Sequence, residues 1–175
     1  MAAPHLSSSA PAAPTVAASG DGELRWYRDC LAELRLTGEQ TGDRVSVVEL
    51  DLPAGAATPL HRQPYDDETL YVVSGALTVH LDGAERHAAT GALVFIPRET
   101  AHALLAVEAT KVMIFGHPAG QGRYYRALSV PAPQRELPPP PTAEPHPAAA
   151  IARRQAAFLN GVEILGEPPF TAAVA

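Results

Sequence analysis

Residues 55–75 read GAATPLHRQPYDDETLYVVSG, and this stretch decides the fold. His61 and Gln63 stand two apart, so on an extended chain both side chains leave the same face. Glu68 follows a polar loop, Pro64-Tyr65-Asp66-Asp67, and opens a β-branched and aromatic run, Thr69 to Val73, that stops at Gly75. Runs of this length and composition, bounded by Gly, Pro or Asp, read as short strands. A second stretch, GALVFIPRETAHALLA at residues 91–106, repeats the arrangement: an apolar run from Ala92 to Ile96, a turn at Pro97, then His102 near the head of Ala101 to Val107.

Working outward, the same signals recur at Val45 to Leu52, Ala76 to Leu81 and Lys111 to Gly116. Leu77, Val79 and Leu81 alternate with Thr78 and His80 and run into Asp82-Gly83, a hairpin turn signal. Nothing between Val45 and Phe115 carries a helical period, so the chain reads as an all-β sandwich or barrel. If Glu68 faces inward, Leu70 and Val72 do too, and with His102 go Leu104 and Ala106. The expected cavity is apolar with one polar cluster, suited to a small flat organic molecule.

Two histidines and a carboxylate on stiff strands, with coordination positions left open, form the ligand type used in non-haem Fe(II), Mn and Ni chemistry. In a chain with seven histidines, hydrogen-bonded histidines without a metal are the plain alternative. The flanking residues weigh against it. Gly55, five residues, His61-x-Gln63, four residues, Glu68, six residues, Gly75 resembles the first cupin motif, G-x5-H-x-H-x3-4-E-x6-G. Gly91, five residues, Pro97-x-Glu99, two residues, His102, three residues, Ala106 resembles the second, G-x5-P-x-G-x2-H-x3-N. Residues 36–42, 67–75 and 118–120, the last before Tyr124-Tyr125-Arg126, are similar to the single-domain quercetin dioxygenase-like branch of that family. So are the late helix and the ending Ile164 to Pro169.

The resemblance implies a cupin jelly-roll β-barrel with a C-terminal helix. It implies that His61, Glu68 and His102 are metal ligands and catalytic residues, with Gln63 in the place of the second histidine. One divalent transition metal, Fe, Ni, Mn, Co or Zn, is the implied cofactor. The implied activity is a metal-dependent dioxygenase acting on an enolic or phenolic aromatic molecule, with Glu68 also accepting the enol proton. Two other readings compete: a non-redox cyclase or isomerase of polyketide-like secondary metabolism, and a small-molecule-binding cupin without catalysis. A homodimer is the form the family implies. Three departures bear on this. Gln63 offers a neutral amide oxygen, a weaker donor than imidazole. Glu99 stands where the motif has glycine, and a positive φ there costs about 1 kcal/mol. Ala106 replaces an asparagine and makes the pocket more apolar.

Outside the barrel, residues 1–22 are rich in Ala, Ser and Pro and read as a disordered tail. The barrel is expected over 23–130 and a proline-rich spacer over 131–147. A helix from Ala148 to Leu159, stopped by Asn160-Gly161, opens a C-terminal unit over 148–175. Ile151, Phe158, Ile164 and Leu165 are expected to pack that unit on the barrel. Trp26 and Tyr27 either lid the barrel or pack outside it, and Tyr65, Asp66 and Asp67 read as a solvated acidic turn. His80, His87, His117 and His146 carry no expected role.

The 175 residues suit one domain, and a net charge of −6 with a single lysine, Lys111, leaves no basic surface for nucleic acid or an anionic membrane. No apolar run reaches the roughly 18 residues of a spanning helix. No signal peptide is recognisable, and the lone Cys30 fits a reducing compartment, so the cytoplasm is expected.

Overall fold

A computed structural model describes residues 12–140 and 147–170. Its strands are β1 (Glu23–Tyr27), β2 (Cys30–Leu36), β3 (Ser46–Leu52), β4 (Leu60–Arg62), β5 (Asp67–Ser74), β6 (Ala76–Leu81), β7 (Ala84–Ala89), β8 (Leu93–Ile96), β9 (His102–Ala106), β10 (Thr110–His117), β11 (Val130–Pro131) and β12 (Glu163–Gly166). Helices α1 (Gly38–Thr41), α2 (Gly120–Leu128) and α3 (Pro147–Leu159) complete it. The strands form a seven-stranded sheet, β11-β1-β2-β3-β10-β5-β8, and a five-stranded sheet, β12-β4-β9-β6-β7.

The expected alternation is realised. A cross-strand row Val48–Ile114–Leu70–Val94 runs through the larger sheet. Val48, Ile114 and Leu70 are fully buried against Leu77, Val79, Leu104 and Ala106 of the smaller sheet. One step along, the row Ser46–Gly116–Glu68–Ile96 carries Glu68 inward at the end of this core. In the facing sheet His61 lies directly opposite His102 across β4 and β9.

The outer face of the larger sheet carries buried charge on β2 and β3 and exposed apolar side chains on β5 and β8. Glu33 and Glu49, cross-strand neighbours, are both buried. Arg35, Arg135 and Lys111 neutralise them, with Arg35 Nη1 2.9 Å and Lys111 Nζ 2.7 Å from Glu49 and Arg135 paired to Glu33. Arg135 belongs to the proline-rich stretch, which is thereby fastened to the sheet. Trp26 Nε1 donates to Glu136 O at 3.0 Å, and Ala132 N to Leu24 O at 3.0 Å. Trp26 thus serves this strap on the outside, whereas Tyr27 turns inward. Residues 1–11, 141–146 and 171–175 lie outside the described residues, so the tail, spacer and C-terminal unit expected there are described only in part. Within 12–22, Gly22 N–H donates to Glu33 Oε1 at 2.9 Å, which anchors the chain just before β1.

Helix α3 ends where Asn160-Gly161 predicts. Gly161 has φ +83°, its N–H donates to Phe158 O, and Val162 N–H reaches back to Ala157 O, the paired bonds of a Schellman cap. The residues that pack this unit differ from expectation. Ala157 and Val162 are buried and Ile164 is partly so, while Ile151, Phe158 and Leu165 are exposed. A methyl side chain at 157 lets the helix approach closely, which turns its bulkier residues outward.

Candidate functional site

All four residues singled out by sequence meet at one end of the barrel. The ligand-type atoms of His61, Glu68 and His102 lie within 4.8 Å of one another, and the imidazole centroids are 4.2 Å apart. His102 Nε2 is 3.5 Å from Glu68 Oε2. Gln63, 2 % exposed, places its Nε2 2.6 Å from that same oxygen.

The backbone orients both imidazoles. His61 Nδ1 is 2.9 Å from Pro59 O and His102 Nδ1 2.9 Å from Thr100 O. A carbonyl only accepts, so each Nδ1 carries the proton and each Nε2 is left for the site centre. The turn supplying Thr100 O also carries Glu99 at φ +68°, the left-handed geometry expected at the motif's glycine position. Glu99 N–H donates to Gln63 O at 2.9 Å, so this turn holds Gln63 as well.

Burial pushes the His61 imidazole down to about 4, helped by the neighbouring His102. It is therefore a neutral imidazole at ordinary pH. Burial would lower His102 too, but its contact with Glu68 outweighs this and raises it. Burial alone would raise Glu68, yet His102, His61 and the Gln63 amide outweigh it and keep the carboxyl ionised.

His102 Nε2 provides the test of fit for a metal. It is fully buried, is aimed at the cluster and makes no hydrogen bond. Buried polar atoms are seldom left without a partner. With two imidazole nitrogens and a carboxylate converging, a divalent transition metal is a partner these residues fit.

Sequence reasoning missed the roof of the site. Gln121, 3 % exposed, donates from Nε2 to Glu68 Oε2 at 3.0 Å. Tyr27 and Tyr124 join hydroxyls at 2.6 Å, and Tyr125 packs edge-on against both rings. Together with Leu104, Val162 and Ile164 these tyrosines enclose a cavity of about 20 Å3 beside His61 and Glu68. That is room for about one water. Of the acidic loop, Asp67 faces outward and pairs with Arg98 at 2.8 Å, which holds its carboxyl at about 2. Asp66 is buried, with its carboxylate against Gly120 where α2 begins. The solvated-turn reading therefore fits Asp67 and not Asp66. Cys30 is buried and burial pushes its thiol well up, so it is no nucleophile.

Residues 48–115 match the family model of the cupin domain. Over 127 residues, 72 % of this chain, the sequence is 28 % identical to quercetin 2,3-dioxygenase of Bacillus subtilis (strain 168), and the match spans 38 % of that protein. KdgF from Halomonas sp. superposes with a TM-score of 0.54 at 21 % identity, over 59 % of this chain and 94 % of that one. An RmlC-like cupin from Shewanella frigidimarina gives 0.52 at 16 % identity, over 61 % and 93 %. At these identities the two structures speak to the fold alone. Among the described residues, no helix is long and apolar enough to cross a membrane.

Proposed function

Because this chain belongs to the cupin superfamily, we propose that its barrel is a metal-dependent dioxygenase acting on an enolic or phenolic aromatic molecule. The observation that carries this reading is the buried Nε2 of His102, which makes no hydrogen bond and converges with His61 and Glu68. His61, Glu68 and His102 would hold the metal, and the likeness to a quercetin dioxygenase supports the reaction class. When bound, the metal supplies a Lewis acid and a redox partner for O2.

The chain's own residues supply the rest. Pro59 O and Thr100 O fix the two imidazoles in the tautomer that presents Nε2. Glu68 stays anionic and can accept an enol or phenol proton on its carboxylate. Tyr27 and Tyr124 share one hydrogen bond between two hydroxyls, so one O–H remains to bind a substrate oxygen. Leu104, Val162 and Ile164 exclude water and fit an aromatic face. A 20 Å3 cavity does not admit an aromatic ring, so the substrate enters by displacing part of this wall. Ile164 is the movable part, since β12 is a sheet edge that, among the described residues, pairs with the three-residue β4.

Glu68 favours a second reading. Its carboxylate, poised by amides and an imidazole, suits proton transfer without oxygen, as in a cyclase or isomerase. Turnover of a flavonol or another enolic aromatic, followed by oxygen electrode and product mass, separates the two. Oxygen uptake with oxygen from isotopically labelled O2 recovered in the product supports the dioxygenase; undiminished turnover under nitrogen with unchanged mass establishes the isomerase.

A homodimer belongs to the same proposal. Edge strand β8 exposes Leu93 and Phe95, and Tyr71 is partly exposed beside them on β5. Light scattering on the purified chain reads the mass directly, and a monomer at micromolar concentration removes this element.

A further inference from the structure

We infer that Gln63 and Gln121 form a two-armed amide clamp on one oxygen of Glu68, which holds this carboxylate beside the imidazoles and takes Gln63 out of the ligand set. The inference rests on reading His61, Glu68 and His102 as a metal site, and it changes what that site contains.

The geometry is specific. Gln63 Nε2 at 2.6 Å and Gln121 Nε2 at 3.0 Å both contact Oε2 of Glu68, and both glutamines are buried. An ionised carboxylate has nothing to donate, so each amide has to turn its NH2 toward Glu68 and its own oxygen away. The amide oxygen is the only atom with which Gln63 could hold a metal ion. His102 Nε2 lies 3.5 Å from the same oxygen, so the two N–H donors hold the carboxylate at the edge that faces the imidazoles.

Both arms are fixed from outside the site. The Gln63 backbone carbonyl accepts from Glu99 N–H at 2.9 Å. Gln121 enters because Gly116, the cross-strand neighbour of Glu68, has no side chain: a Cβ there would lie 2.7 Å from Gln121 Cγ. Position 63, where the motif has histidine, is thus converted from ligand to positioning residue, and Gln121 completes the conversion from a different element. The resulting site holds its ion with three protein groups and keeps more coordination positions open than a four-ligand site does.

Co(II) is the probe that tests this, titrated into the metal-free full chain and followed by its visible ligand-field spectrum. Gln63→Leu and Gln121→Leu are each expected to bind one Co(II) with the parent spectrum and a Kd raised about 10- to 100-fold, the size of an outer-shell loss. His61→Ala should lose the spectrum. If Gln63→Leu shifts or abolishes the spectrum as His61→Ala does, Gln63 is a ligand and the clamp is wrong; if Gln121→Leu binds as the parent does, the second arm is wrong. A metal-independent measurement separates failure of the clamp from failure of the metal reading. In metal-free protein the side-chain NH2 signals of both glutamines, assigned by their loss in the leucine variants, should move together in Glu68→Gln. Unmoved signals overturn the clamp, whereas moved signals in a parent that binds no Co(II) overturn the metal site alone.

Discussion

Replacing Gly116 by alanine should strike the site through the fold. The added Cβ would sit 2.7 Å from Gln121 Cγ, 2.9 Å from Gln121 Cβ and 3.2 Å from Ser46 Oγ. Ordinary contact begins near 3.4 Å, so Gln121 has to retreat by about 0.7 Å at Cγ and 0.5 Å at Cβ. The Cβ is fixed to α2, so rotating the side chain does not relieve it. A retreat of that size takes the 3.0 Å bond to Glu68 out of hydrogen-bonding range. Overpacking costs about 1–3 kcal/mol and loss of a buried bond to a charged group about 1.5–3 kcal/mol. Both come from one displacement and do not add fully, and alanine regains about 0.5–1 kcal/mol of strand propensity. The expected net loss is about 2–4 kcal/mol, or a Tm lower by roughly 5–15 °C for a chain of this length. Urea unfolding should show a lower midpoint with an unchanged slope. Adding Gln121→Gly, which removes both clashing carbons, should recover part of the loss. A Gly116→Ala protein within 0.5 kcal/mol of its parent would refute the reasoning.

Three further outcomes follow from the same geometry. Glu99→Gly relieves a left-handed non-glycine residue and gives up only an exposed pairing with Arg62, so thermal unfolding should show a gain of up to about 1 kcal/mol. His61 is held at about 4 in the folded chain against 6.5 unfolded, so its share of stability is full above pH 6.5 and is lost as pH falls toward 4. Urea midpoints of His61→Gln should fall less than the parent's across that window, and equal slopes would contradict the assignment. Arg135→Ala leaves the buried Glu33 carboxylate with Arg35 as its remaining cation, and should cost about 1–3 kcal/mol and speed proteolysis between residues 132 and 140. Unchanged cleavage would show that Trp26 and the pairing of β11 with β1 hold the strap without Arg135.

Glu68 and His102 were legible because each stands at the head of a strand whose alternation is visible in the sequence, and His61, on the three-residue β4, because of its spacing within the motif. The inward placement of Leu70, Val72, Leu104 and Ala106 followed from that alternation. Strand β2 hid its pattern because both its faces are buried, the outer one by Glu33 under Arg135, a contact of 102 residues' separation. Strand β7 was marked by the Asp82-Gly83 turn and not by its own pattern, since Glu85, Arg86 and His87 are all exposed. Gln121 and the three tyrosines reach the site through the docking of β1 and α2, which no local period records. The one trace is Gly120-Gln121-Gly122, where a polar side chain stands between two residues small enough to let α2 press against Asp66 and Ser46. Burial of Asp66 has the same origin.

The central claim is that two imidazoles and one acid hold a single divalent transition metal at the end of the barrel. Elemental analysis of the untagged chain, beside Glu68→Ala prepared identically, measures this most directly. About one metal per chain in the parent and a near-complete loss in the variant is the expected result; equal contents in the two, or a parent that stays metal-free after incubation with Fe(II), Mn(II), Ni(II), Co(II) and Zn(II), would contradict it.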